Sequence, residues 1–384
     1  MIYTLKFQSI FLEDQMKQLI ARISKIRSHK TITFLDYMGE DGKCQVVLKA
    51  DIHERMKTKL MVGDVMTVKG EYGFTKSNQY SLFAKDVEVL ARSDHVIPFG
   101  NAHCNNRTEE LIVSDQLQVL RTRFKILQDV RNHFLNLDFV EVETPILHPL
   151  YGGANATPFK TFCRATEKNV YMRIAPELYL KRLIIAGMPK IFEIAKVFRN
   201  EGIDQSHHPE FTMCEAYQAD STLEDWISLT RTLLLELFQK YLKFQPKIEI
   251  INAASFNPLN FESLVEKIVA KYQDTLVFVV GTPKLVSLLA KQGLNGNPNI
   301  SKSFEVYYNK MELINCYEEE NNATIQEAKF KEYLDVVDED YLAAMRLGMP
   351  PTTGWGIGID RLVMLLTNTE RITHTIPFPL RGRK

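Results

Sequence analysis

The segment FEIAKVFRNEGIDQSHHPEFTMCEAY, from Phe192 to Tyr217, has two alternating flanks around a polar centre. Alternation at a period of two marks a strand, so the segment predicts a β-hairpin whose loop carries Arg199, Glu201, Asp204 and His207. In its second strand Phe211, Met213, Glu215 and Tyr217 share a parity, and hence one sheet face. An aromatic ring and a carboxylate on an apolar face make a floor for a small molecule. An ordinary hairpin with a solvated tip is the other reading of this segment alone.

Upstream, Ser114 is placed to cap a helix whose apolar positions Leu117, Leu120, Phe124, Leu127, Val130 and Phe134 recur every three or four residues. Phe139–Thr144 then alternates as a strand that stops at Pro145. Downstream, Ser221 and Glu224 have capping-box spacing, opening a second amphipathic helix through about Tyr241. Helix, strand, helix and hairpins in this order predict an α+β fold rather than a doubly wound parallel sheet.

Two later segments carry chemistry. If Asn309-Lys310 is a two-residue hairpin loop, Tyr307 pairs with Glu312 and Glu305 with Ile314, which puts Glu305 and Glu312 on one face. Paired carboxylates repel unless a cation intervenes, and hard oxygen ligands suit Mg2+ bridging phosphates; a solvated acidic face is the alternative. In the strand from Gly354 to Gly358, three glycines on one face leave a flat surface for a planar ring, or room for tight packing. Asp360 is placed to cap the helix that follows, with Arg361 at its start, where a guanidinium suits phosphate oxygens.

The chain has 384 residues, past the roughly 250–300 at which one core stops growing, so two domains are expected. Between Leu19 and Leu90, five short β-rich runs and one helix candidate, Ile52–Met61, predict a small closed barrel of the oligonucleotide-binding type, with a hairpin at Gly39–Gly42. An SH3-like barrel or a sandwich piece is the alternative. Linker chemistry over residues 93–115 puts a boundary near residue 100. Hydrophobic residues make up 45% and charged residues 24%, which excludes collagen-like, disordered and disulfide-scaffold classes. The charge is 47 basic against 47 acidic, with 15 against 11 in residues 1–92, only a slight basic bias in front.

No apolar run reaches the ~18 residues of a membrane span. With no signal-peptide core and five scattered cysteines that form no CxxC, a cytoplasmic protein without disulfides or structural zinc is expected. His207-His208 is adjacent rather than i, i+4, and neither GxSxG nor GxxxxGK[ST] occurs, which argues against a metalloprotease, an α/β-hydrolase and a P-loop enzyme.

The helix and strand ending at Pro145, the Phe198-Arg199-Asn200-Glu201 hairpin and the strand ending Gly358-Ile359-Asp360-Arg361 resemble, in order and spacing, the three signature motifs of class II aminoacyl-tRNA synthetases. The run from Arg173 to Leu183 (RIAPELYLKRL), Phe198–Gly202 and Ile376-Pro377-Phe378-Pro379 resemble the lysine-specific branch; the likeness covers about residues 19–217 and 303–380. The resemblance implies an α+β fold, an antiparallel-sheet catalytic domain over 101–384 preceded by an OB-fold anticodon-binding domain over 1–100. The implied activity is a lysine–tRNA ligase: lysine and ATP give lysyl-adenylate and pyrophosphate, and the lysyl group passes to tRNA(Lys). A paralogue with a protein or lipid acceptor, or a non-catalytic nucleic-acid-binding relative, is the alternative; the barrel argues against the first and the retained charged residues against the second.

By the same resemblance Arg199 and Arg361 hold the ATP phosphates and are the catalytic cations. Phe211 stacks on adenine, Glu201 reads its amino group, His207 lies near the outer phosphates, and Glu305 and Glu312 bind Mg2+. Gly153 and Glu177 receive the lysine α-amino group, and Glu215, Tyr217, Asn315, Tyr317 and Glu319 surround the side chain. Regular parity puts Asn315, Tyr317 and Glu319 on the face opposite Glu305 and Glu312, which a bulge near Asn315 would reconcile. Arg27, Phe34, Gln45 and Asp86 fall at anticodon-reading positions, and a homodimer paired through the segment ending at Pro145 is implied. Ser206 stands where a basic residue is usual, Cys316 replaces a small glycine, Glu318-Glu319-Glu320 makes an acidic wall, and the stretch from Tyr217 to Glu305 is short.

Overall fold

The computed structural model describes residues 17–39, 42–55, 59–99, 104, 106–283, 288–334 and 337–381. Glu40 and Asp41 of the expected hairpin turn, and residues 56–58 of the expected Ile52–Met61 helix, lie outside the described residues. The chain divides into two compact units, Met1–Asp115 and Gln116–Lys384.

In the first unit, β1 (Lys17–Ser28), β2 (Ile32–Gly39), β3 (Gly42–Lys49), β4 (Val65–Phe74) and β5 (Tyr80–Ala91) close into a barrel in the order β1-β2-β3-β5-β4, with α1 (Ala50–Arg55) between β3 and β4. This is the expected oligonucleotide-binding barrel. Alternation sends Ile23, Leu35, Val46, Leu48 and Leu82 inward. Gly70 sits where β4 crosses closest to β5, and a Cβ there would collide with the Phe83 carbonyl, so only glycine fits. Helix α2 (Arg107–Val113) follows; the Ser114 hydroxyl donates back to the Glu110 carbonyl at 2.6 Å, so Ser114 closes α2.

The second unit opens with α3 (Gln116–Leu135). Its buried face is Leu120, Arg123, Ile126, Val130 and Phe134, while Leu117 and Phe124 are exposed. The expected apolar stripe was therefore rotated, because a charged residue, Arg123, occupies a core position. After β6 (Val140–Glu141) come a three-stranded sheet of β7 (Leu147–His148), β8 (Lys160–Cys163) and β9 (Lys168–Met172), then α4 (Glu177–Ile185). The expected strand through Thr144 pairs over only two residues, parallel to β10 (Lys190–Phe198); beyond it the Thr144 hydroxyl turns to the Glu193 carboxylate at 2.6 Å and Pro145 has no N–H to give.

The chain continues through β11 (Glu210–Ala219), α5 (Leu223–Tyr241), β12 (Lys247–Asn252), α6 (Phe261–Val269), β13 (Thr275–Val280), the small hairpin β14 (Gln292–Leu294) and β15 (Asn297–Ser301), β16 (Ser303–Tyr308) and β17 (Met311–Glu318). It ends with α7 (Ala323–Tyr333), α8 (Glu339–Met345), β18 (Thr352–Gly358) and α9 (Ile359–Leu366), before a last short turn of helix. The main sheet has the order β12-β13-β16-β17-β18-β11-β10-β6. It is antiparallel except for the pairs β12–β13 and β6–β10, which fits the α+β expectation. The capping box of α5 is Thr222 with Asp225, one residue later than expected; Ser221 instead accepts from the buried Trp226 indole at 3.2 Å.

One face of the sheet is covered by α3, α5 and α9. Phe134 lies 5.2 Å from Phe192 and 5.3 Å from Trp355, whose indole donates to Thr230 at 3.0 Å. The alternation Gly354-Trp355-Gly356-Ile357-Gly358 thus sends Trp355 and Ile357 into this core and leaves the glycines on the opposite face. Cys316, fully buried beside Trp355, also points into the core, so its replacement of a glycine does not touch the open face. No described helix is long and apolar enough to cross a membrane, and all five cysteines are free.

Candidate active site

The open face is built on β18, flanked by β11 and β17. Gly354 lies between Tyr217 and Tyr317, and Gly356 between Glu215 and Asn315. A Cβ on Gly354 would fall 2.5 Å from the Tyr217 ring and onto the Glu319 carboxylate, so this glycine is required by packing. Around Gly356 the nearest side-chain atoms are 3.6 Å away, and Gly358 is freer still, so the flat surface expected for a planar ring exists over those two. Asn315, in a central strand, is exposed, which marks a cleft open to solvent above it.

The register of the acidic hairpin differs from expectation. Tyr308 pairs with Met311 and Tyr307 with Glu312, but Val306 pairs with Ile314 and Glu305 with Asn315. Leu313 is the extra residue of a β-bulge, buried among core side chains. The bulge inverts parity after Glu312, so Glu305, Glu312, Asn315, Tyr317 and Glu319 all belong to the cleft face. The parity conflict left by regular pairing disappears.

At one end of the cleft sit carboxylates. Glu177, first residue of α4, accepts from the Tyr317 hydroxyl at 2.8 Å, and Gly153, held at φ +85°, lies beside it. Glu215 accepts from the Tyr217 hydroxyl at 2.9 Å; burial, then the nearby Glu177 charge, pushes its carboxyl up to about 8. Glu319 is fully buried, and its Oε1 has no hydrogen-bond partner. Its Oε2 contacts the ammonium of Lys181, a fully buried residue that also donates to Glu177 at 2.6 Å. Burial by itself would pull the Lys181 ammonium down, but Glu177 and Glu319 more than reverse that, so it stays charged. Only Glu319 of the three successive glutamates faces the cleft, since Glu318 pairs with Lys302 and Glu320 with Lys329.

At the other end, four residues or ~13 Å along β11, are the cations. The Arg199 guanidinium lies 5.2 Å over the Phe211 ring and donates to the Ile174 carbonyl at 3.3 Å. Burial lowers its pKa, with Glu201 and Glu215 opposing, and an arginine remains a cation. Arg361, at the start of α9, bonds the Glu312 carbonyl at 3.2 Å and His207 Nε2 at 3.1 Å, while His207 Nδ1 faces Asp204 at 2.8 Å. Glu201 is exposed at the loop edge. Glu305 accepts from the Tyr307 hydroxyl at 2.7 Å; burial, then Glu312, pushes its carboxyl up to about 7. Among the described residues no group of three metal-ligating side chains occurs, so a cation at these two carboxylates would complete its shell with oxygens of water or of a bound substrate.

Asp360 does not cap α9, whose N-cap is Gly358. Its carboxylate accepts from Arg123 at 2.6 Å and from the Thr212 backbone N–H at 2.6 Å, all buried, locking α3, β11 and the start of α9 together beneath Arg361. Neither Arg123 nor Lys181 was singled out from the sequence. The i, i+4 spacing of Glu177 and Lys181 was the available signal for the second.

On the barrel, Arg27 pairs across from Phe34, and its guanidinium lies 5.8 Å over the Phe34 ring while salt-bridging Asp36 at 2.5 Å. Gln45 is on the same outer face opposite Asp36, but it is buried and its amide oxygen accepts from Ser81 at 3.0 Å. Asp86 is exposed on β5.

A barrel of this topology ahead of an antiparallel sheet carrying these cations, carboxylates and glycines defines a class II aminoacyl-tRNA synthetase. Residues 101–382 match the family of class II tRNA synthetases (D, K and N), and residues 18–90 match the OB-fold nucleic acid binding domain. Among similar proteins, the lysine–tRNA ligase of Saccharolobus solfataricus is 32% identical over 94% of this chain and 87% of its own. That of Chloroflexus aurantiacus is 34% identical over 90% and 84%, and that of Helicobacter pylori 34% over 96% and 86%. The chain belongs to the lysine–tRNA ligase family.

Proposed function

We infer that this chain activates lysine with ATP and transfers it to tRNA(Lys) through the residues gathered on the β11–β18–β17 face. The observation that carries the reading is the polarity of one cleft: buried carboxylates at one end, arginines and an acidic pair at the other, and a glycine floor between. Two ammonium groups of lysine match Glu177 on one side and Glu215 with Glu319 on the other, with Gly153, Tyr217, Asn315 and Tyr317 shaping the pocket. An aspartate or asparagine side chain would leave buried carboxylates facing an acid or an amide, which disfavours it.

Phe211 and the open surface over Gly356 and Gly358 suit the adenine ring, with Glu201 at its edge. Arg199 and Arg361 neutralise the charge that shifts on the α-phosphate during carboxylate attack, and His207 meets the outer phosphates. Glu305 and Glu312 fit Mg2+, because a carboxyl raised by burial and then by its acidic neighbour is relieved by a cation. The ion would supply Lewis-acid neutralisation of phosphate charge. No side chain is needed as general base.

Amino-acid-dependent ATP–pyrophosphate exchange tests this: lysine alone of the standard amino acids should support it. Glu215→Gln should raise the KM for lysine by about 30-fold or more, since it removes one partner of a buried charge pair; an unchanged KM rejects the pocket assignment. Phe34→Ala should reduce tRNA charging by ~10–100-fold, as expected for a lost base stack, and leave exchange untouched. Equal loss in both assays would exclude Phe34, and with it the Arg27, Gln45 and Asp86 face, from anticodon reading.

We further propose a homodimer. Leu117, Phe124, Val140, Leu147 and Phe162 are all exposed between residues 117 and 162, apolar surface that a second copy of the chain would cover. Sedimentation at micromolar concentration should give twice the chain mass; a monomer rejects it. The free thiols are consistent with a cytoplasmic location.

A further inference from the structure

Three carboxylates, Glu177, Glu215 and Glu319, are buried within the amino-acid end of the cleft, and each is at most 4% exposed. The substrate proposed for that end brings two ammonium groups. The charges do not balance unless the third carboxylate is met by something else, and the structure holds that group. Lys181, on α4, is 0% exposed, donates to Glu177 at 2.6 Å and contacts Glu319, just past the end of β17. Its ammonium lies 5.8 Å from the centre of the Tyr317 ring.

We propose that Lys181 is a positioning residue and internal counter-cation of the lysine pocket: wedged between Glu177 and Glu319, it leaves the three carboxylates with the two net negative charges that a diammonium amino acid matches. The inference rests on the pocket reading given above. Lys181 acts through its neighbours rather than on the substrate. It fills one side of Glu319 and leaves Oε1, the oxygen with no partner, turned toward Gly354 and the cleft. It also ties the first turn of α4 to the end of β17, fixing the distance between the carboxylates that receive the two ammonium groups.

The consequence is a proton count. The groups facing Lys181 and Glu319 are Glu177 from α4, Tyr317 from β17, Glu215 and Tyr217 from β11, and Tyr341 from α8. Burial pushes all three tyrosines up, so they stay protonated and neutral. Glu215, raised to about 8, holds a proton at pH 7 and must release it to solvent when an ammonium arrives. Burial pushes Glu319 up as well, and Lys181 is the group that opposes this. Without Lys181, a second proton must leave when lysine binds. Affinity for lysine therefore rises with pH up to about 8 in the native enzyme, and rises more steeply without the ammonium.

The test is the KM for lysine in ATP–pyrophosphate exchange from pH 6.0 to 8.5 for the native enzyme, Lys181→Met and Glu215→Gln. In Lys181→Met the KM at pH 7 should rise about tenfold or more, and log KM should fall with pH one unit more steeply than in the native enzyme. The KM for ATP should hold within about twofold, as befits an intact fold. A rise that is parallel at every pH marks a merely structural lysine and overturns the proposal. Glu215→Gln should flatten the native profile; native behaviour in that variant overturns the pocket reading itself, and the proposal with it. If Lys181→Met does not fold, calorimetry of lysine binding to the native enzyme in buffers of different ionisation enthalpy decides: release of about one proton or fewer at pH 7 supports the proposal, and two or more overturns it.

Discussion

Replacing Arg199 with methionine is expected to slow lysine-dependent ATP–pyrophosphate exchange by about 10²–10³-fold, with most of the loss in kcat. Arg199 follows directly on β10 and is held by its guanidinium lying over the Phe211 ring and by its bond to the Ile174 carbonyl, so its charge is in place before substrate arrives. A preorganised cation in a partly dry cleft stabilises charge developing on the α-phosphate more than charge already present in the ground state. The KM for lysine should move little, because lysine's ammonium groups are met at the other end of the cleft. Arg199→Lys should recover only part of the rate, since an ammonium lacks the planar fork and the stack on Phe211. A fall confined to KM for ATP, with kcat intact, would show that Arg199 binds nucleotide without acting in the transition state.

Arg123→Met should destabilise the catalytic unit by about 3–5 kcal/mol, because it leaves a buried carboxylate without its cation. Asp360 has little access to water: it is 2% exposed, and besides Arg123 it has only neutral donors, the Thr212 backbone N–H at 2.6 Å and the Thr375 hydroxyl at 3.5 Å. Thermal unfolding should report the loss as a drop of roughly 6–20 °C in Tm for a unit of this size. Adding Asp360→Asn to Arg123→Met should restore part of the stability, since no charge then remains buried. A Tm within about 2 °C of the native protein would mean that the carboxylate finds another partner. Because Asp360 adjoins Arg361, the same variant should also lower activity at temperatures where it is still folded.

How far the cleft was legible beforehand differs from strand to strand. The hairpin Phe192–Tyr217 pairs in unbroken register from Lys190 with Gln218 to Phe198 with Glu210, so parity alone correctly gathers Phe211, Met213, Glu215 and Tyr217. The hairpin carrying Glu305 and Glu312 obeys the same rule only as far as Glu312. Leu313 then bulges because its side chain is taken into the core, and no local feature of the sequence announces that choice. A helix cap behaves likewise: Ser221 has suitable chemistry, but it accepts from the Trp226 indole and the working cap of α5 is Thr222, one residue later.

The sequence by itself determined which residues are available and which alternate together: the five-stranded barrel, the central hairpin, the glycine strand with Trp355 and Ile357 on its other face, and the charged residues that resemble the family. These follow from periods of two and 3.6 and from side-chain chemistry, which are local properties. Tertiary structure decided the rest. It placed Asp360 against Arg123, 237 residues earlier in the chain, and Glu319 against Lys181, and it used one bulge to bring Glu312 and Glu319, near the two ends of β17, onto one face. The reason is that the pairing of a buried charge depends on what else is excluded from water around it, and that is known only when distant segments have packed.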